Sequence, residues 1–300
     1  MKNKKILIGV GCSHTQGCAI LSNESSEKSN ILAPGNFELA TPELKKLYGK
    51  EKVSTEWITE NFSWVGHLGK LLNVDKVYNF GAGSRGLEYC IRSLRNYSFR
   101  VKDLTNHLIL LQIPSFDRIE ILHLDNGSWT YKQPTDVINE VQNMNNKWKT
   151  YFQYFHELDT LRYKLLNELY FLQDYMEKLG AKFYCFDNFT DDIEYIRDKS
   201  EFIDNSPNVG RSTLCRVHGN WSLNENDNIE IKKIIDRLNL IDIMDPDSHI
   251  QEPVILHHHT LHNEKLVKDD MHLSGTGNKY LAKALYNFLK IEKVNNEINS

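Results

Sequence analysis

The chain has 300 residues, of which 40% are hydrophobic and 25% are charged, a composition typical of a folded globular protein rather than of a disordered or fibrous one. Its formal net charge of −4 offers no global basic field that would point to nucleic acid as a partner. No apolar run approaches the roughly 18 residues needed to cross a bilayer, and the apolar stretch after residues 1–5 ends at Val10, too early for a signal peptide. We therefore expect a cytoplasmic protein, with neither nucleic acid nor a membrane as its partner.

Five short apolar or β-rich segments alternate with helical patterns, which is typical of an α/β fold with a parallel sheet. Residues 107–113 form a continuous apolar run, as expected for a central strand that is covered on both faces. The other predicted strands are residues 5–10, 76–80, 182–186 and 240–244.

Two helices are predicted from apolar residues that recur at three- and four-residue steps. The first pattern runs from Trp148 to Leu179 and is stopped by Gly180, as one very long helix or two joined ones. The second begins near Ser274, and the polar residues after Lys290 are expected to fray. Its predicted buried face consists of Tyr280, Leu281, Ala284, Leu285 and Phe288.

We interpret residues 1–292 as a single domain, followed by a polar C-terminal tail at 293–300. Residues 22–60 and 114–147 interrupt the alternating pattern and are predicted as loop insertions. Both would leave the C-terminal edge of the sheet, where open α/β folds hold their ligands. Two aromatic residues of the second loop are candidates for stacking on a substrate: Trp129 and Tyr131.

The cysteines are odd in number and lie in or beside apolar segments. This pattern favours reduced, partly buried thiols over a disulfide framework. The five residues are Cys12, Cys18, Cys90, Cys185 and Cys215.

The first candidate for chemistry is Ser13, in a Gly-Cys-Ser-His-Thr segment directly after the first predicted strand. A serine at a strand-to-helix turn is exposed at the edge of the sheet, and flanking glycines permit a tight backbone there. The free N–H groups of a following helix would stabilise a developing oxyanion. Alone, the pattern is also typical of a phosphate loop or a simple turn.

The second candidate is the pair Asp269 and His272, just before the last predicted helix. In a turn, residues three apart are close enough for the carboxylate to accept the imidazole Nδ1–H, which fixes the tautomer that a general base needs. The nearby helix N-terminus would disfavour the imidazolium and keep the base neutral. The alternative is a capped turn with a solvated histidine.

Taken together and in this order, the two segments resemble the SGNH (GDSL-like) hydrolase family. The family's first block is similar to residues 11–15, and its last block, Asp-x-x-His, matches 269–272. Its second block is similar to residues 79–84, with Gly83, or else Gly81, as the backbone donor to the oxyanion. The resemblance implies a three-layer α/β/α, flavodoxin-like fold with a five-stranded parallel sheet, a Ser13-His272-Asp269 triad, and no metal or cofactor.

The family's third block, Gly-x-Asn-Asp after strand three, is replaced here by residues 111–118, which resemble a variant branch of the family with Gln, Trp and Ser or Thr, then Arg, in this place. The side-chain amide of Gln112 is our candidate for the missing oxyanion donor, with Ser115 as a second one. An absent donor typically costs on the order of 10²–10³ in rate. The full predicted oxyanion hole is therefore Ser13, Gly83 and Gln112.

These assignments predict a serine esterase that forms an acyl-enzyme, on a small-molecule or carbohydrate ester, with small acetyl esters of carbohydrate favoured. Arg118 is a candidate for binding an anionic substrate group, although an ion pair with Asp117 or Glu120 is an alternative. The residues expected to contact the substrate are His14, Asn79, Ser84, Ser115 and Arg118.

Two other functions stay open. The same fold would also suit a non-catalytic or acyl-transferring module of a larger assembly. A metal-dependent hydrolase would use the histidines of residues 257–262, since imidazoles a few residues apart can share a metal. We favour a loop near the active site for this histidine segment.

Overall fold

The structure is a computed structural model, and it describes residues 4–17, 54–83, 85–114, 118–123, 128–132, 158–186, 233–234, 236–241, 257–262, 265–273 and 275–298. In chain order, its strands are β1 (Ile6–Val10), β2 (Lys76–Asn79), β3 (His107–Gln112), β4 (Ile119–His123), β5 (Ser128–Lys132), β6 (Lys182–Phe186), β7 (Leu240–Ile241), β8 (His257–His262) and β9 (Lys265–Leu273). Its helices are α1 (Ser13–Gln16), α2 (Thr55–Phe62), α3 (Trp64–Leu72), α4 (Leu87–Arg100), α5 (Leu158–Lys178) and α6 (Gly275–Ile298).

The main sheet has the strand order β2-β1-β3-β6, with the two-residue strand β7 next to β6. The four longer strands form a parallel sheet, which establishes the predicted α/β character. Strands β1 and β2 pair in parallel, in a register that runs from Ile6 opposite Lys76 to Gly9 opposite Asn79. The predicted strand at 240–244 is described only as β7.

Strand β1 forms because its residues are apolar and mostly β-branched, and because both of its faces are covered. Successive side chains of a strand point to opposite faces, and the neighbours Leu7 and Ile8 are both fully buried. The same holds for Ile109 and Leu110 in β3. The continuous apolar run in β3 is thus explained by burial on both sides.

Two antiparallel hairpins correct the predictions for other segments. Strands β4 and β5 pair from Ile119 opposite Lys132 to His123 opposite Ser128. The predicted loop at 114–147 therefore contains a hairpin, and the placement of Trp129 and Tyr131 in a loop was wrong, because both lie in β5. Strands β8 and β9 form the second hairpin. The histidine segment 257–262, predicted as a loop, is strand β8.

Helices α2 and α3 follow each other with a single residue, Ser63, between them. The α2 N-cap is Ser54, whose side chain accepts a hydrogen bond from the N–H of Trp57 at 3.1 Å, as serine at this position commonly does. Helix α3 ends at Leu72, and its C-cap residue, Asn73, adopts a left-handed conformation with φ of 49°. Residues 55–60 of the predicted loop 22–60 are therefore helical.

Helix α5 confirms the periodic pattern before Gly180 for the residues from Leu158 onward. It ends at Lys178, and Gly180 adopts a positive φ of 93°, which glycine tolerates without a steric penalty. The N–H of Ala181 returns to the carbonyl oxygen of Met176 at 3.1 Å. Gly180, which marks the end of the helix in the sequence, is therefore required by the backbone conformation at this position.

Helix α6 begins at Gly275, as predicted, but it continues to Ile298, beyond Lys290 where fraying was expected. Its buried residues include Leu281, Ala284 and Leu285. Tyr280 was wrongly assigned to the buried face, since 47% of it is exposed. Asn278 and Ala282, which were not predicted as part of the buried face of α6, are both buried.

The chain divides into two compact units. The first comprises Met1–Gly83, Asn106–Leu110 and Ile241–Ser300, and the second comprises Ser84–Thr105 and Leu111–Leu240. In the first unit, α3 packs against α6, β1 and β2. In the second, α4 packs against α5 and β4, and α5 packs against β6. The single domain over 1–292 stays a prediction.

Three cysteines are described, and all are buried free thiols, as predicted: Cys12, Cys90 and Cys185. Burial raises the pKa of the Cys185 thiol well above its ordinary value, so this group stays protonated. Cys18 and Cys215 lie outside the described residues. Within the described ranges, no helix is both long and apolar enough to cross a membrane.

Candidate active site

The predicted nucleophile lies at the start of a short helix at the carboxyl end of β1. Helix α1 begins at Ser13, and two residues, Gly11 and Cys12, separate it from the end of β1. The N–H of Gln16 donates to the carbonyl oxygen of Cys12 at 3.0 Å, and the N–H of Ala82 donates to the carbonyl oxygen of Gly11 at 3.2 Å. The strand-to-helix position predicted for Ser13 is therefore confirmed for the backbone. The side chains of Ser13 and His14 lie outside the described part of the structure.

The turn after β2 lies directly against α1. A Cβ atom at Gly81 would be 2.2 Å from the backbone nitrogen of Gln16 and 2.5 Å from the carbonyl carbon of Thr15. Because backbone atoms cannot withdraw like the end of a flexible side chain, only glycine fits at residue 81. A Cβ atom at Gly83 would approach only the side-chain Oε1 of Gln16, at 3.3 Å.

The N–H of Gly81, one of the two candidate backbone donors of this turn, has a partner within the protein. The N–H of Gly81 donates to Oδ1 of Asn79 at 2.8 Å, a short-range bond typical of an Asx turn. That N–H is therefore already engaged within the protein. The choice of Gly83, or else Gly81, as a donor to an oxyanion stays a prediction.

Asn79 joins this turn to α1. Its Nδ2 atom donates to the carbonyl oxygen of Thr15 at 2.7 Å and to Oγ of Ser63 at 3.0 Å. Its Oδ1 atom accepts from Gly81. Asn79 is predicted from the sequence as a substrate contact, and the structure shows its amide bonded to three elements of the protein. The substrate contact stays a prediction.

The predicted general base, His272, and its carboxylate partner, Asp269, lie in β9 rather than in a turn. Strand β9 runs from Lys265 to Leu273. The pairing with β8 shifts between His257 opposite Leu273 and His259 opposite Lys268, so residues 269–272 lie opposite the single residue His258. Such a bulge bends the strand away from the regular ladder. The prediction of a turn was therefore wrong, and the side chains of Asp269 and His272 lie outside the described part.

Helix α1 and strand β9 are neighbours within the first unit, with Cα atoms within 8 Å of each other. The fold thus brings together, at the level of the backbone, two segments that are separated by about 250 residues in the chain. The turn at Gly81 lies against the same helix.

Gln112 and Arg118 belong to the second unit. Gln112 is the last residue of β3 and is fully buried. Arg118 is half-buried, and its Nη1 donates to the carbonyl oxygen of Arg85 at 3.5 Å. Glu120, the alternative partner considered for Arg118, has its carboxylate bonded to both terminal nitrogens of Arg92.

Burial raises the pKa of Glu120, and the bonded guanidinium of Arg92 opposes that shift. Ser84, Ser115 and Asp117 lie outside the described residues.

No cluster of three or more metal-binding side chains occurs among the residues whose side chains are described. The histidine side chains of β8 lie outside the described part, and the metal-dependent hydrolase stays a prediction.

The sequence analysis did not identify Ser63 and Asn278. Ser63 accepts a hydrogen bond from Asn79, and Asn278 accepts one from the N–H of Trp64. Ser63 is fully buried, and Asn278 is 1% exposed. A serine followed by the apolar start of a helix is a signal for an N-cap, and Ser63 does accept a hydrogen bond from the N–H of Gly66, at 3.3 Å. The bond between Ser63 and Asn79 has no such local signal.

Comparison of the chain with models of known protein families gives no match, and comparison with curated proteins gives none either.

Proposed function

We propose that the protein is a serine ester hydrolase of the SGNH type, with Ser13 as nucleophile and His272 as general base, oriented by Asp269. The observation that supports this most is the neighbourhood of α1 and β9. These short elements hold the two motif segments, and the turn with Gly81 and Gly83 lies against the first of them. A triad is recognised by such geometry and by the order of roles rather than by overall sequence similarity.

In the proposed reaction, Oγ of Ser13 attacks the ester carbonyl carbon while its proton passes to Nε2 of His272. The tetrahedral oxyanion accepts hydrogen bonds from the backbone N–H groups of Ser13 and Gly83. The C–O bond to the alcohol then breaks, and His272 returns the proton to that oxygen. Water, deprotonated by His272, then attacks the acyl carbon, the bond from that carbon to Oγ of Ser13 breaks, and His272 returns the proton to Oγ as the acid is released.

The finer fold that we propose is the three-layer α/β/α, flavodoxin-like arrangement with five parallel strands. The order β2-β1-β3-β6-β7 supports it, because it is the 2-1-3-4-5 order of flavodoxin-like sheets once the β4-β5 hairpin is left out. In such sheets ligands bind beyond the carboxyl ends of the strands. Ser13 follows the carboxyl end of β1, and Gly81 and Gly83 follow that of β2.

The substrate class that we propose is a small acyl ester, foremost an acetyl ester of a carbohydrate. Trp129 and Tyr131, which lie in β5, are the residues proposed to stack on the carbohydrate. We also propose a cytoplasmic location and a reaction that needs no cofactor.

The proposal is tested by the release of acetate from acetylated saccharides and from p-nitrophenyl acetate. We expect turnover by the wild-type chain and a loss of at least about 10³-fold in both Ser13→Ala and His272→Ala, since triad residues act as a unit. A folded wild-type chain without turnover on any ester of the panel would contradict the proposal and favour the non-catalytic module. Activity that survives Ser13→Ala but is abolished by a chelator would instead favour the metal-dependent hydrolase.

A further inference from the structure

The residue Ser63, between α2 and α3, uses every hydrogen-bonding capacity of its hydroxyl group. Its Oγ donates to the carbonyl oxygen of Thr59 and accepts from Nδ2 of Asn79 at 3.0 Å and from the N–H of Gly66 at 3.3 Å. A hydroxyl has one proton and two lone pairs, so this set is complete. Because Ser63 is fully buried, water cannot replace any of these bonds.

Three hydrogen bonds, one of them to Ser63, fix the orientation of the Asn79 amide. In the observed orientation, Nδ2 reaches two oxygens, of Thr15 and Ser63, while Oδ1 accepts from the N–H of Gly81. A flipped amide would place Oδ1 against the carbonyl oxygen of Thr15 and NH₂ against the N–H of Gly81. Asn79 thereby holds α1 and the turn after β2 in one fixed relation.

A second amide, the buried Asn278, links the start of α3 to the last helix. Oδ1 of Asn278 accepts from the N–H of Trp64 at 2.8 Å, across 214 residues of sequence. This N–H is one of the donors at the start of α3 that have no partner within the helix. Asn278 lies in the first turn of α6, which begins two residues after β9 ends.

We infer that Ser63 is a positioning residue for the reaction proposed at Ser13, acting through Asn79, and that Asn278 holds the same junction to α6. The inference rests on the proposed function. The hydrogen bonds run from α6, next to the strand with Asp269 and His272, to Trp64 at the start of α3, and from its neighbour Ser63 through Asn79 to α1. Without the hydroxyl of residue 63, Asn79 loses one acceptor, and α1 can shift relative to the glycine turn.

Such a shift acts on the chemical step. A misplacement of about 1 Å can cost about 10²-fold in rate, whereas binding of a small substrate in the ground state is little affected. We therefore expect Ser63→Ala to lower kcat by about 10- to 100-fold and to leave KM within about twofold.

The matched control is Ser54→Ala. Ser54 is also a helix N-cap in the same unit, and its removal deprives the N–H of Trp57 of its partner without touching Asn79. Both variants are expected to lower Tm, because both lose a cap. Only Ser63→Ala is expected to lower kcat on p-nitrophenyl acetate, and Ser63→Thr, which retains Oγ, should recover most of the loss.

The outcomes separate the inference from the proposed function. If the wild-type chain turns over esters and Ser63→Ala has the kcat of Ser54→Ala, the positioning role is overturned while the esterase stands. If the wild-type chain has no turnover, both fall. Should Ser63→Ala fail to fold, Asn278→Ala supplies the same test. Amide hydrogen exchange at Gly81 and Gln16 provides a readout that needs no substrate: faster exchange is expected in Ser63→Ala, and wild-type exchange would contradict the inference.

Discussion

The approach of Gly81 to α1 is the tightest constraint among the described residues of the candidate site. At 2.2 Å from the nitrogen of Gln16, an added Cβ atom would meet backbone rather than a movable side chain. An alanine there would force α1 and the turn after β2 apart. It would also disturb the hydrogen bond that the N–H of Gly81 donates to Oδ1 of Asn79.

We therefore predict that Gly81→Ala lowers the free energy of unfolding by about 2–3 kcal/mol, the typical cost of an overpacked site, and that it abolishes ester turnover. Gly83→Ala is the matched variant, because its Cβ atom meets only the flexible end of Gln16, at 3.3 Å. It should cost less than about 1 kcal/mol. Urea unfolding of both variants measures the difference, and equal stabilities would contradict the close approach.

Single residues were predictable where a local motif marks them. Ser13, Asn79 and Gly83 lie at or just after the ends of strands β1 and β2, and a strand end is visible as the end of an apolar run. Ser63 and Asn278 were not predictable, because their roles come from hydrogen bonds across 16 and 214 residues of sequence. Hydropathy also counts Asn278 as polar, although it is buried.

Among the elements, buried strands were predicted well, because burial on both faces demands a continuous apolar run. The β4-β5 hairpin was missed, although the connecting residues 124–127 contain Asn126-Gly127, a dipeptide typical of hairpin turns. In α6, the buried positions 278, 281, 282 and 285 follow helical spacing. Tyr280 is half-exposed although it is four residues from the buried Ala284, so spacing alone does not predict its burial.

The contact between α3 and α6 also contains a titratable group, His67. Burial, followed by repulsion from the ammonium groups of Lys70 and Lys279, lowers the pKa of His67 from 6.5 to about 4. Between these two values the unfolded chain binds a proton that the folded chain does not. Stability is therefore expected to fall as the pH falls through this window, and to be independent of His67 above it.

We predict that this effect amounts to roughly 1–2 kcal/mol between pH 7 and pH 4, allowing for partial screening by solvent. His67→Gln lacks the titrating group and should lose less stability on acidification. Urea unfolding of both chains at pH 7, 5.5 and 4 isolates the difference from the carboxylates that they share. Parallel pH profiles for the two chains would show that the pKa of His67 is not lowered in the folded state.

At the scale of the whole molecule, the order of motifs predicts that the segments with Ser13 and His272 lie close together in the fold. Segments near the two ends of the chain belong to one compact unit, where α1 and β9 are neighbours. The α/β alternation and the position of Ser13 after β1 could be inferred from the sequence. The bulge in β9 could not, because its geometry comes from pairing with β8.

The most direct test of the central claim is the identity of the residue that a fluorophosphonate modifies. We predict that mass spectrometry of the digested wild-type chain finds the adduct on Ser13, and that labelling is lost in Ser13→Ala and slowed by at least about 10²-fold in His272→Ala. A folded wild-type chain with no adduct, or with its adduct on another residue, would contradict the assignment of Ser13 as nucleophile.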